Sequence, residues 1–258
     1  MIIIDKKKFA YIHIPKVAGT VIRELLSEHA DENINRGIIK KHPDLGFMDY
    51  NHIPIFVLKD YFPTEFNELS KYKIFSMMRD PSNRFPSSVA QYISMYEGIP
   101  IENARLIDYK NATDKCIKYL KNYIDKQHYL GAKHIHFQPQ YDYLFYDNKR
   151  FVDVLLKIQD IEEMVDKISA YLNIRLSAPE NKNQTKEYKN SFFKNLLSTN
   201  DNVTNYFKII LPANIKDYLR PIIYRGSVNR FDDVAKSEYV KDFVGEYYKK
   251  DIALYETL

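Results

Sequence analysis

Phe9-Ala10-Tyr11-Ile12-His13-Ile14 is a compact run of aromatic and β-branched residues, the pattern of a buried strand. Pro15 ends it. Apolar residues then recur at helical spacing, Val21, Ile22, Leu25 and Leu26, and Thr20 is the expected N-cap. Residues 29–51 are polar, with His42-Pro43 and Gly46 as breakers, and read as a surface excursion. Pro54 opens a short apolar run, Ile55 to Leu58, whose state periodicity leaves open. A second strand is predicted over Tyr72–Met78, ending at Arg79-Asp80-Pro81, with a helix from about Ser82 to Tyr96. Pro86 fits that helix only in its first turn, because proline lacks the amide hydrogen later turns require. A helical insert carries Cys116, Leu120, Tyr123 and Ile124 on one face. A third strand, Phe151–Ile158, precedes an amphipathic helix over Ile161, Met164, Val165, Ile168 and Leu172. After a polar loop, Ser177–Asn190, the pattern is mainly helical, and the last helix turns Val240, Phe243, Val244, Tyr247 and Ile252 inwards. Strands alternating with helices predict an α/β fold, one domain over residues 1–258, with a central parallel sheet flanked by helices and a helical C-terminal part.

Composition narrows the function classes. Across 258 residues, 45% hydrophobic and 28% charged is ordinary for a folded chain and excludes wholesale disorder. The net charge of +4 suits an anionic ligand but is too small to argue for nucleic acid. A lone cysteine, Cys116, allows neither an intrachain disulfide nor a zinc-thiolate site. The apolar run at Met1–Ile4 is too short for a signal-peptide core, and nowhere do 18 apolar residues run together. A cytoplasmic protein without a transmembrane segment is the expectation.

In a parallel α/β sheet ligands gather at the carboxyl ends of strands, where a helix N-terminus can receive an anion. The segment Pro15-Lys16-Val17-Ala18-Gly19-Thr20-Val21 has the parts for this: a glycine, unpaired amides at the helix start, a hydroxyl and a mobile positive charge. It is not a Walker A loop, since Lys16 precedes the glycine. Taken alone, the segment reads equally as a plain strand-to-helix turn with a solvated lysine.

The second strand end adds Arg79-Asp80-Pro81-Ser82-Asn83-Arg84-Phe85-Pro86-Ser87. With it the chain resembles the sulfotransferases that use 3′-phosphoadenylyl sulfate (PAPS). Residues 15–20 are similar to their 5′-phosphosulfate loop, and the R-D-P-x-x-R-x-x-S pattern to their 3′-phosphate site. His136-Phe137-Gln138-Pro139-Gln140 resembles the H-x-x-P-Q element of the carbohydrate (family 2 type) sulfotransferases, and Tyr248–Tyr255 their terminal helix. Pro86 ahead of Ser87 departs from the pattern, and residues 97–135 align with nothing, which leaves the acceptor site unassigned. The resemblance implies a P-loop-kinase-like sulfotransferase fold, PAPS as donor, adenosine 3′,5′-bisphosphate as product, and a glycan or glycoconjugate hydroxyl as acceptor. It also implies nucleotide contacts from residues 15–21, Arg79 and Ser87, and from Asn183, Thr185 and Lys186 in a loop that closes over the nucleotide.

Arg79 offers a planar fork and Ser87 a hydroxyl to one phosphate, although Arg79 could instead pair with Asp80, and Ser88 competes with Ser87. Asp80 and Arg84 are expected to hold the loop. Lys16 would stabilise the leaving oxygen. No metal is expected, because the sulfuryl group carries little charge and no acidic cluster is evident. Of seven histidines, His52 is the first candidate for the base and His136 for an orienting role, while His13 reads as a core histidine. Two rivals stand against this reading: a nucleotide-kinase-like phosphotransferase, which lacks its Walker lysine here, and a non-enzymatic nucleic-acid binder, which +4 with dispersed charge disfavours.

Overall fold

The computed structural model describes residues 1–31, 39–176, 186–188, 224–226 and 231–258. By its contacts the chain divides into two compact units, Met1–Glu180 with Val234–Leu258, and Asn181–Asp233.

The larger unit is built on a four-stranded sheet. Its strands are β1 (Ile2–Ile4), β2 (Phe9–Tyr11), β5 (Lys73–Met78) and β8 (Val154–Lys157), in the order β1-β2-β5-β8. β2, β5 and β8 run parallel, with Phe9 opposite Lys73 and Phe75 opposite Val154. β1 pairs antiparallel with β2, Ile2 opposite Tyr11. Phe9, Ala10 and Tyr11 are all buried, as are Ile74 through Met78. Successive side chains on a strand point to opposite faces, so both faces of the sheet are covered. The result is the α/β arrangement of parallel strands and flanking helices, with an antiparallel edge the periodicity did not predict.

Helix α1 (Gly19–Leu26) follows β2, and α4 (Pro81–Tyr96) follows β5. Between them lie a hairpin of β3 (Ile39–His42) and β4 (Gly46–Asp49), then α2 (Ile55–Tyr61) and α3 (Pro63–Leu69). The hairpin occupies part of the expected surface excursion, and α2 settles the ambiguous run after Pro54. The helical insert is α5 (Leu106–Leu120), whose inner face includes Cys116, Ile117 and Leu120. Short helices α6 (Gly131–His134) and α7 (Tyr141–Leu144) follow, then a small ribbon of β6 (Phe145–Tyr146) and β7 (Lys149–Arg150). The amphipathic helix is α8 (Ile161–Leu172), with Met164, Val165, Ile168 and Leu172 buried and Asn173 in the left-handed conformation ending it.

Three local expectations need correction. Thr20 is not the N-cap of α1: Ala18 is, with φ 46°, and Thr20 is the second helical residue, exposed. Pro86 lies beyond the first turn of α4, whose start is set by the Asp80 carboxylate accepting from the Ser82 amide at 2.8 Å and by Pro81 behind it. The closing helix is two, α9 (Glu238–Tyr247) and α10 (Lys249–Glu256). In α10 Ile252 is only half-buried, and the fully buried residue is Asp251.

In the smaller unit, β9 (Lys186–Tyr188) pairs antiparallel with β10 (Tyr224–Gly226). A strand at 186–188 therefore replaces part of the predicted loop. Asn183 and Thr185 lie outside the described residues, and Lys186 is described only as the first residue of β9.

Candidate active site

Because β2 and β5 are parallel neighbours, the loops after them emerge side by side at the carboxyl edge of the sheet. The first runs from Ile12 into α1. Lys16 and Ala18 both take positive φ, 67° and 46°, a conformation costly for residues with a Cβ and sustained by the surrounding structure. The Ala18 carbonyl accepts from the Val21 amide at 3.0 Å, and no side chain caps the first amides of α1. Gly19 is required by packing rather than by φ. A Cβ there would lie 1.7 Å from the His13 ring, so only glycine leaves that imidazole room.

Arg84 locks the second strand end to the first. It is 1% exposed and donates from Nε to the Pro15 carbonyl at 3.1 Å. Its Nη2 donates to the carbonyls of His136 and Gln138, at 3.0 and 2.7 Å. One guanidinium thus ties the phosphate-type loop, α4 and the H-x-x-P-Q segment together. Ser88 adds to this, donating to the Arg84 and His136 carbonyls at 3.1 and 2.8 Å. Ser87, its half-buried neighbour, shares a helix face with Gln91 four residues on. Gln91 Oε1 accepts from Lys16 Nζ at 3.2 Å, which turns that face of α4 towards the loop lysine.

The Arg79 side chain reaches back over the loop, Nη1 lying 3.4 Å from the Lys16 carbonyl. Its backbone is held by Gln140, whose Oε1 accepts from the Arg79 amide at 3.0 Å and whose Nε2 donates to the Arg79 carbonyl at 2.7 Å. Gln140 is held in turn by Asp251, which accepts from the amides of Gln140 and Tyr141 at 2.7 and 2.8 Å. The two glutamines of the H-x-x-P-Q segment are therefore buried clamps. Gln138 accepts from the Leu130 amide at 3.1 Å and donates to Asp142 at 2.6 Å.

Positive charge is concentrated here. Burial lowers the Lys16 pKa, and Arg79 lowers it further; Arg79 is likewise depressed by burial and by Arg84. Among the described residues none of Lys16, Arg79 and Arg84 makes an ion pair. Half-buried cations without an ion-pair partner, here Lys16 and Arg79, are costly, and an anion entering this cleft offsets that cost.

Three imidazoles line up beside the loop. The ring centroids of His13 and His52 are 4.5 Å apart, and those of His52 and His136 are 5.9 Å apart. Arg23 Nη2 stands 2.7 Å from His13 Nδ1, which must accept, so the His13 proton sits on Nε2. The His13 carbonyl is 2.9 Å from His52 Nδ1, which must donate to it. His52 Nε2 is therefore left as the basic nitrogen. Burial pushes His52 down to about 3 and His136 down to about 3, the latter with help from His52 and Lys16. Both rings are neutral at ordinary pH. His52 is placed by the turn after β4, where the Asp49 carboxylate accepts from the Asn51 amide at 2.9 Å and the Asp49 carbonyl from the His52 amide at 3.1 Å. Among the described residues no three His, Cys, Asp or Glu side chains form a metal-binding group.

The structure thus brings Lys16, Arg79, Ser87, His52 and His136 to one end of the sheet, around the loop 15–21. Sequence reasoning missed Gln91, Gln138, Gln140, Asp251 and Arg23. Gln91 had a signal, its i+4 spacing from Ser87, and the two glutamines lay within a motif already noticed. Arg23 and Asp251 had none, because their partners are set by tertiary packing.

A family model described as the sulfotransferase family matches residues 1–256. The chain belongs to that family. The match spans nearly all of this sulfotransferase and agrees with the family 2 type resemblance of its motifs. No curated protein and no solved structure gives a match. Family membership makes the chain a transferase of sulfuryl groups, and among the described residues no helix is long and apolar enough to cross a membrane.

Proposed function

We propose that this sulfotransferase moves the sulfuryl group of PAPS to a hydroxyl of a carbohydrate. The observation that carries the reading is the pair of half-buried cations, Lys16 and Arg79, without an ion-pair partner among the described residues at adjoining strand ends, with Arg84 buried behind them. Their chemistry fits a donor with phosphate and sulfate groups. Arg79 is the fork and Ser87 the hydroxyl for the 3′-phosphate, and the amides at the start of α1 with Thr20 receive the 5′ end.

When bound, PAPS supplies an activated sulfuryl group whose S–O bond to the 5′-phosphate breaks as the acceptor oxygen bonds sulfur. Lys16, held by Gln91, is the cation to take up charge developing at the leaving oxygen. His52 takes the hydroxyl proton on Nε2, its Nδ1–H fixed on the His13 carbonyl. His136, held through its own carbonyl by Arg84 and Ser88, orients the acceptor. The products are a sulfate ester, adenosine 3′,5′-bisphosphate and a proton. A carbohydrate acceptor is supported by the likeness of residues 136–140 to the H-x-x-P-Q element.

The test is nucleotide choice. Adenosine 3′,5′-bisphosphate should raise the melting temperature, with AMP and ATP much weaker. Arg79→Ala should remove roughly 2–5 kcal/mol of that binding if the contact is desolvated. Equal shifts from AMP and the bisphosphate would refute the 3′-phosphate clamp.

A further inference from the structure

A cavity of about 270 Å³ is lined in part by Pro139 of the H-x-x-P-Q segment, and none of Lys16, Arg79, Ser87, His52 or His136 lines it. Its walls include Tyr123, Tyr141, Phe145 and Tyr247, and Asp142 and Gln127 supply polar groups. The volume lies just below the usual range for ligand pockets, roughly 300–1,000 Å³, and suits one or two small rings.

The charges around it discriminate against ions of either sign. Lys249 is paired with Asp125 at 2.5 Å, and Lys59 with Asp147. Two ring faces already carry lysines, Lys250 at 5.1 Å from the centroid of Tyr141 and Lys59 at 5.3 Å from that of Tyr146. Those ammonium groups oppose a cationic ligand. The carboxylates of Asp125 and Asp147, both lining the cavity, oppose an anionic one. What remains is an uncharged ligand with an apolar face for aromatic rings and hydroxyls for the polar groups. Tyr141 and Phe145 are stacked, centroids 4.3 Å apart and planes within 3°. With Phe145 on one face of Tyr141 and Lys250 over the other, the outer face of Phe145, held flat by its partner ring, is the apolar surface the pair leaves to a ligand. Asp142 accepts from Gln138 Nε2 at 2.6 Å and also from Gln127, which fixes the polar edge of the cavity that a hydroxyl-bearing ligand would meet.

We propose that this cavity is a second binding site, for a neutral sugar ring, distinct from the reaction cleft. As a place to anchor a remote part of the acceptor it rests on the carbohydrate reading above; as a binding site it rests on the cavity alone. Asp251 connects the two sites, since it lines the cavity and also holds Gln140, the clamp on Arg79.

Saturation-transfer NMR on the full chain with maltose and with lactose tests this, with no donor present. Transfer to at least one sugar is expected, falling about tenfold in Tyr141→Ala. It should be unchanged by saturating adenosine 3′,5′-bisphosphate and in Lys16→Ala. Should Tyr141→Ala fail to fold, Phe145→Leu removes the partner ring while keeping an apolar side chain. Absence of transfer to both sugars, or transfer undiminished in the folded variants, overturns the proposal. So does displacement of the sugar by the bisphosphate, which would put it in the reaction cleft, or by tetramethylammonium or phosphate, which would make the cavity an ion site. Binding of a sugar that is never sulfated would instead count against the acceptor reading and leave this one standing.

Discussion

Replacing Asp142 by asparagine isolates a pH dependence that burial builds into the support of the site. The carboxyl is 7% exposed, accepts from Gln138 Nε2 at 2.6 Å, and faces Gln127, Asp251 and Lys250. Burial pushes its pKa up from 3.8 to about 7, the bond from Gln138 opposes this, and the Asp251 charge adds to it. Between those two values the folded chain keeps a proton that the unfolded chain releases. Stability is therefore fully present below pH 4 and is lost as pH rises through 7, at up to ~1.4 kcal/mol per pH unit. A separation of about three units makes the loss about 4 kcal/mol. The measurement compares wild type with Asp142→Asn, which keeps an oxygen to accept from Gln138 and has no proton to lose. Urea unfolding from pH 4.5 to 8, at unchanged denaturant slope, should show the variant gaining about 3–4 kcal/mol on wild type across that range. A difference constant within ~0.5 kcal/mol would show that Asp142 does not stay protonated in the fold, and the burial argument would fail.

Lys16→Ala should lower turnover on the order of 10²–10³ while changing adenosine 3′,5′-bisphosphate affinity little; near-normal turnover would return Lys16 to the role of an ordinary loop lysine. His52→Ala should cost ~10²–10⁴ in rate with bisphosphate binding intact, and His136→Ala less; the reverse order in steady-state assays would exchange their roles. Because burial holds both rings near 3, well below the ordinary 6.5, their contribution to stability is present above pH 6.5 and is lost as pH falls towards 3. The rate of the folded enzyme should accordingly show no loss centred at 6.5, and a clear limb there would contradict the burial of His52. EDTA should leave the transfer rate unchanged, since Lys16 and Arg79 supply the positive charge; loss rescued by Mg²⁺ would favour phosphoryl transfer.

The elements that carry the site were legible because their side chains answer to local rules. β2 is an unbroken apolar run, and β5 is apolar after Lys73 but for the buried Ser76; they are bounded by Pro15 and by Arg79-Asp80-Pro81, and a strand buried on both faces reads that way. α8 follows from apolar residues at helical spacing. Strand Ile2–Ile4 was missed because three residues are too few for periodicity, and it exists only through pairing with β2. The start of α1 was misplaced by two residues, because a serine-or-threonine cap is the local preference. Here the left-handed Ala18 and the need to seat the His13 ring against Gly19 decided otherwise.

By itself, the sequence determined where the residues proposed for the chemistry stand: Lys16 on the first strand end, Arg79 and Ser87 on the second, and histidines at 52 and 136. Their spacing along two strand-loop-helix units is a local property, and so is the family likeness it carries. Only the tertiary structure decided how those residues are held and in what state. Arg84 became a buried tie between three carbonyls and Gln140 a clamp on the Arg79 backbone. His52 received its tautomer from the His13 carbonyl 39 positions away. The physical reason is that protonation, tautomer and charge compensation depend on burial and on partners brought together by folding. Neither has any trace in the order of residues along the chain.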